Sequence, residues 1–430
     1  MNVNRKTFLR RLGAGALGLM ATRGWAERDD GSPSAATPVW NGEDPERFWR
    51  QVRAQFPMTP ERIYFNTGGL GPAPRRVLDM LTVAGRQLQE RVETGHDSFS
   101  PARAIVADYL GAKPEEICFV RNTTEGTNIV ASGLALQAAD EVIFESHAHP
   151  GGSFPWLNRQ RADGIAVKTF EPDPQNAAAN VARIEALITP RTRVIQVSHV
   201  TSPTGIVLPV QAIGELARRH DLWFHVDGAQ SAGMIPVDLR TLGCDSFATS
   251  GHKWMGGPHE TGVLWIRSDR IERITPRQVG AYSSEDMNLR NPGPFVYSPG
   301  AHRYEYGTRN AASVLALAEA VRFQNEIGRE RIAARGHALA ERVRAGLEKI
   351  DGVDVLTPRD PASRGSIITF RTAKVGYQAL FGRLLGDYRL RCRPVSEVGL
   401  DATRVSTHLF NSPSECDLLI GALDEILKKT

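Results

Sequence analysis

From about residue 46 to residue 310, short apolar runs alternate with stretches in which apolar residues recur every three or four positions. The runs are Ile117-Cys118-Phe119-Val120, Glu141-Val142-Ile143-Phe144, Val194-Ile195-Gln196-Val197, Leu222-Trp223-Phe224-His225-Val226 and Val263-Leu264-Trp265-Ile266. Such nearly continuous runs belong to strands covered on both faces. Helical spacing fills the gaps, as in Val210 to His220. This alternation predicts an α/β fold, a mainly parallel sheet flanked by helices over 46–310. Functional groups in such sheets collect at the carboxyl ends of strands. Beyond residue 310 the texture changes. A long helical stretch, Ala311 to Ile350, precedes strands near Gly352 to Leu356 and Ser366 to Phe370, then a helix, two short strands and a final helix from Ser414 to Lys428. Residues 311–430 are therefore expected to form a smaller α+β domain, with 46–60 a candidate to join it.

At 430 residues and 47.2 kDa the chain exceeds the size at which single cores stop growing, which agrees with two domains. Apolar residues at 41% and charged residues at 23% exclude a disordered or fibrous chain. The net charge of +4 is small and its basic residues are scattered, so no nucleic-acid or membrane-surface footprint is read. Four cysteines, Cys118, Cys244, Cys392 and Cys416, lack the spacing or histidine pairing of a metal site, and a disulfide scaffold is not indicated. Residues 1–26 stand apart. Arg5-Lys6-Thr7-Phe8-Leu9-Arg10-Arg11 precedes an apolar run from Leu12 to Ala21, then Gly24-Trp25-Ala26. The run is too short to span a bilayer, and the segment resembles a twin-arginine export signal, with Lys6 in place of the second arginine. It implies the twin-arginine export machinery as partner and a periplasmic location. Residues 27–45, rich in Asp, Ser, Pro, Gly and Ala, read as a linker.

Lys253 carries the chemistry. It sits in Ser250-Gly251-His252-Lys253-Trp254, 26 residues after the carboxylate of His225-Val226-Asp227-Gly228-Ala229-Gln230. Only eight of the 52 basic residues are lysines, so one between His252 and Trp254 is unlike ordinary surface use. An aldehyde cofactor needs an amine to hold it as a Schiff base, and its ring nitrogen needs a carboxylate to stay protonated. Lys253 and Asp227 can supply both. After the strand ending at Val120, Asn122-Thr123-Thr124-Glu125-Gly126-Thr127-Asn128 opens a helical pattern, and its hydroxyls and free N–H groups are either a phosphate seat or a plain helix cap. The strand ending at Glu145 leads to Ser146-His147-Ala148-His149, where a flat imidazole can stack on a pyridine ring; His147 is preferred to His149.

Together these segments resemble the class V aminotransferase family of fold-type I pyridoxal phosphate enzymes, over roughly residues 60 to 425. The order Thr-Thr-Glu, Glu-x-His, Ser-His-x-x-Ser-Pro-Thr-Gly, Asp-x-x-Gln and Ser-x-His-Lys is hard to meet by chance. The resemblance implies pyridoxal 5'-phosphate as cofactor, with phosphate contacts at Thr123, Thr124, Ser250 and His252 and ring stacking at His147. It places Asp227 on the ring nitrogen, Gln230 on the ring hydroxyl, and Lys253 as Schiff-base lysine and proton shuttle. Glu305-Tyr306-Gly307-Thr308-Arg309-Asn310 is similar to the family segment that reaches a partner's phosphate, so Thr308 is expected to act in trans in a homodimer. Thr403-Arg404-Val405-Ser406 is similar to the motif whose arginine grips the substrate α-carboxylate, a task suited to a guanidinium fork. A surface ion pair is the plainer alternative for Arg404. Arg393 is a secondary candidate, and Asn66 is placed at the rim by Tyr64-Phe65-Asn66-Thr67-Gly68-Gly69.

The expected reaction is at the α-carbon of an amino acid or aminoacyl group. Desulfurases of the family carry a nucleophilic cysteine after the first C-terminal arginine; here Arg393-Pro394-Val395-Ser396-Glu397-Val398-Gly399-Leu400 has none, so that reading is rejected. Ser202-Pro203-Thr204-Gly205 is closer to the isopenicillin N epimerase branch, which also holds lyases and transaminases. With the export signal, the resemblance points to a periplasmic subgroup that tailors a glutamyl group on a peptide siderophore, with an epimerase or a Cβ–S lyase as alternatives. A binding protein without catalysis would have lost Lys253, Asp227 or Arg404, and a hydrolase would show Gly-x-Ser-x-Gly; neither sign is present.

Overall fold

The structure, a computed structural model, describes residues 36–285, 289–291 and 293–430. The expected export signal over 1–26 lies outside the described residues. In chain order the strands are β1 (Ile63–Tyr64), β2 (Ile117–Val120), β3 (Glu141–Glu145), β4 (Ala166–Phe170), β5 (Thr192–Ser198), β6 (Trp223–Asp227), β7 (Ser246–Ser250), β8 (Gly262–Ile266), β9 (Val353–Val355), β10 (Ile367–Thr372), β11 (Leu390–Arg391), β12 (Arg393–Val395) and β13 (Ala402–Ser406).

Seven strands form one sheet in the order β2-β8-β7-β6-β5-β3-β4. Only β8 runs antiparallel to its neighbours β2 and β7; the other pairs are parallel. Alternate side chains of a strand leave on opposite faces, and both faces here are apolar. Ile117, Phe119, Phe224, Val226, Val263 and Trp265 enter one core, while Cys118, Val120, Trp223, Leu264 and Ile266 enter the core on the other side. That is why the runs read as continuously hydrophobic. All five runs became strands, with ends moved by a residue or two. The mainly parallel sheet flanked by helices is thus as expected.

The C-terminal part holds a four-stranded antiparallel sheet, β12-β13-β10-β9, whose core includes Leu339, Val343, Ile368, Phe370, Leu384 and Leu423. The expected helical stretch from Ala311 to Ile350 is two helices, Ala311–Ile327 and Arg329–Leu347, broken at Gly328 with φ +98°. A side chain at that φ would be strained, so glycine marks the break. The first of the two contributes Ala311, Val314, Leu317 and Val321 to the large-sheet core. Phe48, Trp49 and Val52, on the helix Pro45–Arg53, pack with Phe323, Ile332 and Phe410.

One crossing positions the site. β1 pairs in parallel with β11, and Asn66 bridges to Ser406, so residues 63–66 run beside the C-terminal strands and bring Asn66 next to Arg404. No helix among the described residues is long and apolar enough to cross a membrane.

Candidate active site

Asp227 is the last residue of β6, Ser250 the last of β7, and Asn122 lies just beyond β2, so three carboxyl ends lie on the same side of the sheet, with antiparallel β8 between β2 and β7. They border a cavity of about 260 Å³, lined also by Thr123, Thr124, His149, Ser202, His252, Lys253, Arg393 and Arg404. The helix Thr123–Gly133 points its amino end at this cavity. Asn122 caps it, its side chain accepting from Glu125 N at 2.9 Å, so the cap is asparagine rather than threonine. Ser250 Oγ accepts from Thr123 N at 3.0 Å and meets Thr123 Oγ1 at 2.8 Å, tying the helix start to the end of β7. An uncovered helix amino end with adjacent hydroxyls is an anion seat.

Lys253 is half-buried, and its amine is pushed down to about 8, first by desolvation, against the pull of Asp227. Arg404 and Arg393 lower it further. At neutral pH more of such an amine is uncharged than of an exposed lysine. Asp227 is pushed upward by burial, while the Ala229 N–H at 2.9 Å and the Lys253 charge oppose that. The lysine backbone is clamped. Gly71 N donates to His252 O at 2.8 Å, and a Cβ on Gly71 would lie 1.8 Å from Lys253 O, so only glycine allows this approach. On the other side Trp254 O accepts from Gln324 Nε2 at 2.6 Å and from His408 Nε2 at 3.1 Å.

Arg404 is 1% exposed. Its Nη1 donates to Ser202 O at 2.8 Å and Ser202 Oγ at 3.1 Å, and Nη2 donates to Asn66 Oδ1 at 3.0 Å. Nε has no partner, and no carboxylate of the described residues lies within ion-pair distance. The surface ion-pair alternative is therefore excluded for this side chain. Burial first, and then Arg393, push the guanidinium down to about 9. Arg393 also lines the cavity and bonds Glu397 through Nη2.

Three expected contacts differ. His147 does not line the cavity; its Nδ1 meets Thr204 Oγ1 at 3.0 Å and its Nε2 lies 3.0 Å from Glu171. His149 lines it instead, caps the helix Pro150–Asp163 by accepting from Gly151 N at 3.0 Å, and is held down to about 4 by burial and by Lys253. Pro150 was the signal, since proline at the first helical position puts the preceding residue at the cap. Gln230 lies behind the lining, where Nε2 donates to Gly68 O at 2.8 Å and Oε1 accepts from Trp254 Nε1 at 2.7 Å. Its amide braces the glycine loop. Thr308, expected to act in trans, borders a separate cavity with Arg121, Glu125 and Arg309. Asn66 is behind Arg404 rather than among the lining residues. Ser202 and the Gly68-Gly69 pair also line the cavity; in the sequence they belong to quoted motifs with no contact of their own assigned.

All four cysteines are buried, and none lines the cavity. Burial pushes the Cys392 thiol up to about 12. No metal-holding cluster of histidine, cysteine or carboxylate occurs among the described residues.

The family model for aminotransferase class-V matches residues 76–411. An isopenicillin N epimerase of Amycolatopsis lactamdurans is 33% identical over 397 residues, covering 88% of this chain and 99% of the relative. A probable cysteine desulfurase of Methanothermobacter thermautotrophicus is 29% identical over 398 residues, covering 87% and 97%. Among solved structures, the apo cysteine desulfurase of Thermococcus onnurineus NA1 is similar with a TM-score of 0.80 at 27% identity, over 90% of this chain and 98% of that one. A C-DES mutant with glycine covalently linked to the PLP cofactor is similar with a TM-score of 0.79 at 27% identity, over 87% and 99%. Relatives named as desulfurases thus stand beside those named as epimerases.

Proposed function

We propose, for a chain that belongs to the class V aminotransferase family and is a pyridoxal phosphate-dependent enzyme, that it acts at the α-carbon of an amino acid or aminoacyl group whose carboxylate pairs with Arg404. The observation that carries this is a fully buried guanidinium facing a cavity, with no carboxylate of the described residues within ion-pair distance of it. Leaving a charge buried and unpaired is costly, so such a group is kept for an anion that arrives later.

The cavity fits the cofactor. His252 Nδ1 is buried without a partner, the amino end of Thr123–Gly133 borders the cavity, and an amine and a carboxylate face the same space. Thr123, Thr124, Ser250 and His252 would hold its phosphate, His149 would border its ring, Asp227 would pair with the ring nitrogen and Lys253 would bind the aldehyde. When bound, the cofactor supplies an electron sink for charge developing at the α-carbon. Lys253, with its lowered amine, is suited to take a proton at Nζ and return it. Arg404, fixed by Ser202 and Asn66, would orient the substrate so that its α-carbon meets that amine. Gly152 leaves room at Asp227: a Cβ there would lie 2.9 Å from Asp227 Oδ2.

Sulfur abstraction by a chain thiol is disfavoured, because no cysteine lines the cavity and Cys392 is buried with its thiol held protonated. Epimerisation is the second reading. It is supported by the relatives named isopenicillin N epimerase, at 33% and 30% identity. The tailoring of an exported siderophore peptide depends on residues 1–26 and stays with them as a proposal. Thr308, on its separate cavity, is proposed to serve the partner's phosphate in a homodimer.

Incubation of the cofactor-loaded protein with single amino acids in deuterated water tests the function. Exchange of the α-proton, read by mass spectrometry, is the expected result; racemised product then marks epimerisation, and keto acid or released ammonia marks transamination or elimination. Absence of exchange with any amino acid or γ-glutamyl peptide, in protein that retains its cofactor, would sink the proposal.

A further inference from the structure

Arg393 and Arg404 are direct register partners on the antiparallel pair β12 and β13, and both line the cavity. Like charges placed opposite each other on one sheet face repel. The fold keeps them together and sets the Glu397 carboxylate against Arg393 Nη2. Arg393 Nη1 is buried and has no partner. Glu397 sits at the start of a turn that is itself strained: Val398 (φ 47°) and Asp401 (φ 47°) both adopt the left-handed region beside Gly399. A β-branched residue there is a true outlier, and such strain persists where the surrounding structure demands one geometry. The turn holds Glu397 against one amino group of the fork and leaves the other for the cavity.

We infer that Arg393 forms a second anion subsite beside Arg404, so the substrate carries a second acidic group a short distance from its α-carboxylate. The inference rests on the reading of Arg404 as the α-carboxylate holder. Glu397 is then a positioning residue: it fixes the Arg393 fork, and Nη1 meets the substrate's second acid. Phosphate has its own seat at the amino end of Thr123–Gly133, which leaves two guanidinium groups for the substrate. A single carboxylate satisfies one fork.

Equilibrium titration of the cofactor-loaded full chain with L-glutamate and with L-glutamine, followed by cofactor absorbance, isolates the second charge at nearly constant shape. Calorimetry with glutarate and butyrate, which lack the amine, reads the same difference without turnover. L-Glutamate is expected to bind at least tenfold tighter than L-glutamine. Arg393→Gln should remove that preference by weakening glutamate far more than glutamine, and Arg393→Lys should retain part of it. Equal affinity for the two amino acids in the native protein overturns the inference alone. So does an Arg393→Gln variant, folded and cofactor-loaded, that weakens both equally, because both arginines then grip one carboxylate. Binding of neither amino acid overturns the Arg404 reading together with it.

Discussion

Replacing Arg404 with methionine separates what a buried cation costs the fold from what it does for a substrate. Burial and the Arg393 charge push the guanidinium from its ordinary value down to about 9. That interval, at about 1.36 kcal/mol per pH unit, disfavours the charged form by about 5 kcal/mol at every pH below about 9. Against this stand the bonds to Ser202 O, Ser202 Oγ and Asn66 Oδ1, each worth about 1.5–3 kcal/mol when the donor is charged. The two sides nearly cancel. Arg404→Met should therefore change stability by only about 2 kcal/mol in either direction, moving the melting midpoint of the cofactor-free protein by less than about 8 °C. Removing one member of a buried ion pair instead costs about 3–5 kcal/mol. Amino-acid binding should suffer far more, because truncating one partner of a buried charge pair costs about 2–5 kcal/mol, or about thirtyfold to several thousandfold. The assays are thermal melting and an absorbance titration of the loaded protein with amino acids. Affinity unchanged within about threefold, or a melting midpoint lowered by more than about 15 °C, would make Arg404 a structural residue and refute the reasoning.

Three further outcomes follow from the site. His149→Phe should shift the absorbance of bound cofactor while His147→Phe leaves it in place, since only His149 lines the cavity; equal shifts would put both rings at the ring site. Burial depresses the Lys253 amine, so its ammonium form costs the fold stability that is fully lost below about pH 8 and regained as pH rises towards 10.5. The rate of colour formation on adding pyridoxal phosphate should then rise with pH and level off just above 8; a rise continuing to 10 would mean an ordinary lysine. Ellman's reagent should find no fast thiol in the native protein and four after unfolding in guanidinium. A single fast stoichiometric thiol would restore the desulfurase reading.

What could be read from the sequence follows the physics of burial. Strands β2, β3, β5, β6 and β8 were legible because cover on both faces demands unbroken apolar runs. β7 was not, because Ser246-Phe247-Ala248-Thr249-Ser250 has no such run and is buried by its neighbours β6 and β8 rather than by its own hydrophobicity. Asp227, Ser250, Thr123, His252, Lys253, Arg393 and Arg404 do share one cavity. Local chemistry pointed to Asp227, Ser250, Thr123, His252 and Lys253, which end a strand, start a helix or sit in a short motif, whereas Arg393 and Arg404 came only with the family resemblance. His149 differs from His147 only through the helix that begins at Pro150 and makes His149 its cap, a distinction that the pair of histidines alone does not show. Gln230 and Asn66 are set one layer back, a distance that spacing along the chain does not encode.

The central claim is that Lys253 anchors pyridoxal phosphate. An absorbance spectrum of the purified protein from 300 to 500 nm, before and after borohydride, with peptide mass mapping of the reduced product, tests it most directly. The account predicts a visible band that borohydride abolishes and a pyridoxyl mass on the peptide containing Lys253. A protein that stays colourless and unlabelled after incubation with pyridoxal phosphate, or that carries the label on another lysine, would contradict it.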